Sequence, residues 1–150
     1  MKVYVLHYAC YEESEIKGVY TEEAMRKELA LYAEWGRERN EKAIVEQERR
    51  IEELKARRKT LGQEDRRISE KQVELKVVHE KSDIQKELEK TLRHNRKEVV
   101  RQMDQLAMSI RNQEYGLEKM KNLTDKQLAE REMQRGHLYF EEFDVLGVVE

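Results

Sequence analysis

Leu54, Leu61, Ile68 and Leu75 stand seven residues apart, and that spacing limits what this chain can become. A residue repeated every seven returns to one face of an α-helix, and so narrow a stripe is buried only when a second helix closes over it. The companion seam position carries Ile44 and Ile51, then turns polar at Arg58, Asp65 and Gln72. A second stripe follows: Leu88, Leu92, Val99, Met103, Leu106, Ile110, Leu117 and Met120. Between the two, phase is lost near residue 80, and Ser82 with Gln85 forms a capping-box signature for a new helix. The simplest closure is an antiparallel coiled-coil hairpin over residues 39–121, with its turn near 78–83 and arms of ~60 Å at ~1.5 Å per residue. Gly62 offers a rival turn, but it leaves arms of very unequal length. A single unbroken helix pairing with another chain is the other alternative.

Composition agrees with long helices: 41% of residues are charged, 38% are apolar, and there is no proline. Disorder competes for so polar a chain. The recurrence of apolar residues at helical spacing argues against it. Net charge is −2, which excludes a globally basic nucleic-acid binder. Residues 44–105 nevertheless hold 17 Lys or Arg against 14 Asp or Glu, so the middle is mildly basic. Cys10 is the only cysteine, so no intramolecular disulfide forms, and a reducing cytosol is the expected compartment. The first residues do not read as a signal peptide. No apolar run approaches the ~18 residues of a membrane span. The expectation is a cytoplasmic protein with no membrane partner.

Both ends read differently from the middle. "KVYVLHYA" alternates and is rich in β-branched and aromatic residues, and "IKGVY" continues it as a hairpin. Thr21 caps a helix expected over about 22–35, with Gly36 and Asn40 marking a break. Thr124 with Gln127 opens a short last helix that ends at Gly136, and "HLYFEEFDVLGVV" reads as one or two strands. The fold expected is mainly α, with a small α+β base of residues 1–38 and 122–150. The long antiparallel helical hairpin is inserted between the β-hairpin with its helix and the C-terminal strand.

The stretches "KVYVLHYACYEESEIKGVYTEEAMRKEL" and "YFEEFDVL" resemble the opening and closing elements of small uncharacterised bacterial and phage ββαβ domains. The resemblance covers about 40 residues at the two ends and none of the arms. It implies the base fold and a bacterial or phage origin, and it brings no catalytic residue.

No catalytic signature stands out. His7, Cys10 and His137 invite a zinc reading, but residues three apart on a strand point to opposite faces. Cys10 with His7 or His137 would make a thiol and its base, but no orienting group or oxyanion site stands out. The glycines are scattered singly, so there is no phosphate loop. The expectation is therefore a non-enzyme with no cofactor and no metal.

Binding features are better marked. Basic clusters recur at Arg49–Arg50, Arg57–Arg58–Lys59 and Arg66–Arg67, and Lys86, Lys90, Arg93 and Lys97 share one helical face. Val77, Val78 and Ile84, beside His79, place apolar groups near the expected turn, as a docking arm needs. The partner-binding candidates are thus Val77, Val78, His79, Ile84, Arg57, Arg58, Lys86, Lys90, Arg93 and Lys97. The seam is assigned to Ile51, Leu54, Leu61, Ile68, Leu75, Leu92, Val99, Leu106, Ile110 and Leu117. Asp65 and Arg96 are expected to pair across it. Tyr4, Tyr8, Tyr11, Tyr20, Tyr32 and Tyr139 are candidates for an aromatic surface, and an open sheet edge invites a homodimer.

The function expected from these features is binding of a host protein. Its narrowest form is a phage-encoded factor that inhibits or redirects a target such as a defence nuclease. The alternative is a nucleic-acid-associated factor using the basic middle of the arms.

Overall fold

The computed structural model describes residues 1–145. The elements are β1 (Lys2–Cys10), β2 (Glu13–Tyr20), α1 (Glu22–Lys76), α2 (Asp83–Lys121), α3 (Asp125–Arg135) and β3 (Leu138–Asp144). The fold is mainly α with one small antiparallel sheet, and α1 pairs with α2. The chain divides into two compact units, Met1–Val45 with Lys119–Glu150, and Glu46–Glu118. The residues 146–149 of the expected strand sequence lie outside the described residues.

In the first unit β1 is the central strand, in the order β2-β1-β3. Strand alternation sorts its residues onto two faces. Leu6 sits opposite Gly18 and Phe140, and Tyr8 opposite Leu138, so these define one face. Leu6 is buried there, and the Tyr20 ring meets Phe140 edge-on at 5.3 Å. The other face carries Val3, Val5, His7, Ile16, Val19, Tyr139 and Phe143. Helix α3 packs against β3 and buries Leu128, Ala129 and Met133. It opens with the capping box of Thr124 and Gln127 and stops at Gly136. The left-handed turn into β3 falls on His137, at φ 57°.

The helix break expected at Gly36 and Asn40 does not exist, because α1 runs unbroken through both. Gly36 is buried, and a Cβ on it would stand 2.8 Å from the Leu128 carbonyl oxygen. Its lack of a side chain serves close packing of α3, not helix termination. Asn40 caps nothing; its side-chain amide donates to the Met120 carbonyl at 2.9 Å. On the first turns of α1, Leu31 and Trp35 are about half exposed.

In the second unit the chain reverses between Lys76 and Asp83, while Gly62 lies inside α1. Ser82 and Gln85 exchange both bonds of the expected capping box. Ile68, Leu92 and Val99 form a buried cluster flanked by Leu61, Leu75 and Met103. Ile51 and Ile110 are also buried, and Leu54, Leu106 and Leu117 are half-buried. Asp65 accepts from Arg96 Nε at 3.2 Å, and Gln72 accepts from the same guanidinium at 3.2 Å. Two of the polar seam residues, Asp65 and Gln72, therefore share one partner across the helices. Such pairs favour one register over slipped alternatives.

The glycines give a paired test. Gly36→Ala should destabilise the protein by about 1–3 kcal/mol through overpacking on Leu128. Gly116 sits in α2 with nothing within 4 Å of the site of a Cβ. Gly116→Ala should therefore stabilise by about 1 kcal/mol from helix propensity. Chemical denaturation followed by helical circular dichroism reads both signs. Equal shifts in one direction would refute the close-packing role of Gly36.

Candidate functional site

The second unit carries a groove between α1 and α2 that combines charge with an apolar floor. Lys55, Arg58, Lys59, Gly62, Gln63 and Arg66 line it from α1, and Met103, Ile110 and Glu114 from α2. Lys55, Lys59, Gly62 and Arg66 follow one another at steps of four, three and four, so one helical stripe builds the basic wall. Lys55 reaches Glu114 at 3.3 Å at one end. Among the described residues, Arg58, Lys59 and Arg66 have no acidic group within ion-pairing distance. Other cations of this unit are engaged: Arg49 with Glu46 and Glu53, Lys81 with Glu89, Arg96 with Asp65, and Arg101 with Glu98.

Gly62 lies in the middle of this groove. A Cβ there would meet only Met103 Cε, at 3.6 Å, which is ordinary contact. Packing thus permits a side chain that the sequence withholds, although an interior helical glycine costs about 1 kcal/mol against alanine. Its effect is to leave Met103 reachable between the cations, over a seam in which Ile110 is buried. A second groove, lined by Arg57, Thr60, Leu61, Gln102, Gln105, Leu106 and Ser109, has only one charged residue on its wall.

The other candidates spread elsewhere. Arg57 belongs to that second groove, apart from Arg58. Lys86, Lys90, Arg93 and Lys97 are all exposed on α2, and Lys90 lies 3.5 Å from Glu87. Val77 and Ile84 are largely bare, at 73% and 82% exposure, with His79 exposed and Val78 half-buried. Val73 and Leu88 extend this apolar tip. Lys55, Gly62, Met103 and Ile110 were not among the partner-binding candidates. Lys59 and Arg66 were not among them either, and the signal is the recurrence of Lys55, Lys59 and Arg66 at steps of four and seven beside the apolar seam.

His7 stacks on Tyr139 with ring centroids 4.9 Å apart. Cys10 hydrogen-bonds with the Tyr8 hydroxyl, which raises the phenol's pKa. No cluster of three metal-ligating side chains occurs among the described residues. Tyr11 is fully exposed and Tyr139 about half so, while Tyr4, Tyr8, Tyr20 and Tyr32 are half-buried. None of the helices is long and apolar enough to cross a membrane, among the described residues. No protein-family model, curated protein or solved structure matches the chain.

On α2, Glu98 accepts hydrogen bonds from Arg101 and Gln102, chiefly Arg101, which lowers its pKa from 4.5 to about 2. A carboxyl with a depressed folded pKa contributes stability above its unfolded pKa and loses it as pH falls through the folded value. The window here runs from 4.5 down to about 2. Thermal melts across it should show a steeper acid loss for the native chain than for Glu98→Gln. A Glu98 titration by nuclear magnetic resonance with its midpoint near 4.5 would contradict the contact.

Proposed function

We propose that this chain is a protein-interaction factor that acts by binding, and that the basic groove of its helical hairpin takes an acidic, amphipathic helix of another protein. The observation that carries this reading is the meeting of Arg58, Lys59 and Arg66, none with an acidic partner among the described residues, with the Met103 floor under Gly62. A third helix laid in such a groove buries its apolar stripe on the floor and sets its carboxylates against the cations. Arginine and lysine on the rim favour acidic partners through complementarity and faster encounter. The bare Val77 and Ile84 tip extends the apolar surface on offer.

The ββαβ-like ends point to a bacterial cytoplasm as the first place to seek the partner. A factor that blocks or redirects a host protein, such as a defence nuclease, is the narrower form of the proposal. The second reading is a nucleic-acid-associated factor, favoured by the exposed row of Lys86, Lys90, Arg93 and Lys97. Against it, α1 and α2 of this unit offer one aromatic ring, Tyr115, for base stacking.

Fluorescence anisotropy on the full chain separates these readings. The probes are an acidic amphipathic 21-residue helix of Leu and Glu heptads, its Lys-for-Glu counterpart, and a 20-base-pair DNA duplex. The acidic helix should bind, the basic helix should not, and the duplex should bind more weakly than the acidic helix. Arg58→Glu with Arg66→Glu should weaken acidic-helix binding at least tenfold, about 1.4 kcal/mol. Gly62→Leu should block the groove while keeping or raising helix stability. Tighter duplex binding with a steep salt dependence would favour the second reading. Failure of the acidic helix to bind at low salt would overturn the groove.

A further inference from the structure

The sheet's open face is a second surface, built without the hairpin. We infer that it is the contact between two copies of this chain, packed sheet face on sheet face. The face is continuous across all three strands: Ile16, His7 and Tyr139 stand in one row, Val19, Val5 and Glu141 in the next, and Val3 and Phe143 beyond. Ile16 is 63% exposed, Val19 67%, Tyr139 48% and Phe143 43%. In strands that alternate, solvent-facing positions are expected to be polar. Here they are β-branched and aromatic.

Area and charge both select a second copy. Side chains of this size expose together on the order of 500 Å² of apolar surface, at the upper end of what a soluble monomer leaves bare in one patch. One side of a standard interface buries about 800 Å², so this patch supplies an apolar centre that needs only a modest rim. A two-fold contact sets a patch against itself, so any net charge on the patch would repel its own image. The face carries one carboxylate, Glu141, and its Oε2 lies 2.9 Å from His7 Nε2 of the same face. In a chain that is 41% charged, a face with a single carboxylate sets little like charge against its own image.

Edge-to-edge pairing is the less suited route to a dimer. The β3 edge carries Glu141, Glu142 and Asp144, and the β2 edge begins Glu13, Ser14, Glu15. Charged side chains on edge strands oppose pairing with another copy. The dimer goes beyond the groove reading and is independent of it. If both hold, each assembly carries two groove-bearing hairpins, and a partner with two acidic helices gains avidity.

Sedimentation equilibrium of the full chain from 1 to 200 µM tests the inference. A monomer–dimer equilibrium is expected, and Ile16→Glu with Val19→Glu should weaken it at least a hundredfold. Ile16→Thr with Val19→Thr keeps β propensity and serves if the acidic pair fails to fold; it should weaken the dimer at least tenfold. Val77→Lys with Ile84→Lys should leave the dimer constant unchanged. A chain that stays monomeric at 200 µM overturns the inference, as does a dimer unmoved by either sheet pair. A dimer lost with the Val77 and Ile84 pair instead assigns the contact to the hairpin tip. Anisotropy with the acidic helix, run on the sheet variants, reads the groove separately.

Discussion

Closure of a seam one residue wide holds the helical unit together. Ile51, Ile68, Leu92, Val99 and Ile110 are its buried members, and most of their neighbours along the helices are charged. Hydrophobic burial is proportional to the apolar area removed from water, so a seam this thin supplies little per residue and must be long. Two consequences follow. The helices need one register, which the Asp65, Arg96 and Gln72 contacts favour. Both flanks of the seam also remain as open grooves, because no third element covers them among the described residues.

A two-helix unit presents long, shaped flanks, and those grooves are concave surface of this unit among the described residues. The charge placed on the flanks then separates them. One groove holds Lys55, Arg58, Lys59 and Arg66, and the other holds Arg57 alone among charged residues. Gly62 acts at the same level, where a missing side chain opens the floor between the cations. The sheet unit solves a different problem. Its central strand β1 pairs on both sides, and Leu6 is buried on one face. Among the described residues, the apolar side chains of the opposite face have no cover.

Much of this architecture is legible in the residues. The heptad run from Leu54 to Leu75 and the loss of phase near 80 are periodic signals, and period is set by helix geometry alone. The two capping boxes, at Ser82 and Thr124, are local chemistry within three residues and need no tertiary partner. The small sheet is equally local in β1 and β2, which alternate and are joined by a short turn. The reading fails at Gly36 and Asn40. Both residue types end helices when judged by propensity, yet here each is fixed by a contact about 80–90 residues away, on Leu128 and Met120. The candidate site was legible in part. The arginine clusters were visible, but whether Arg57 or Arg58 faces Met103 depends on the rotation of one helix about the other.

The sequence by itself determined the elements, their order, the reversal near residue 80 and the surplus of cations in the middle, because periodicity, capping and charge are properties of neighbours along the chain. Tertiary structure alone decided which cations share a groove with an apolar floor, why Gly36 bears no side chain, and which face of the sheet stays bare. Those outcomes depend on the azimuth and separation of elements distant in sequence, and no local spacing encodes either.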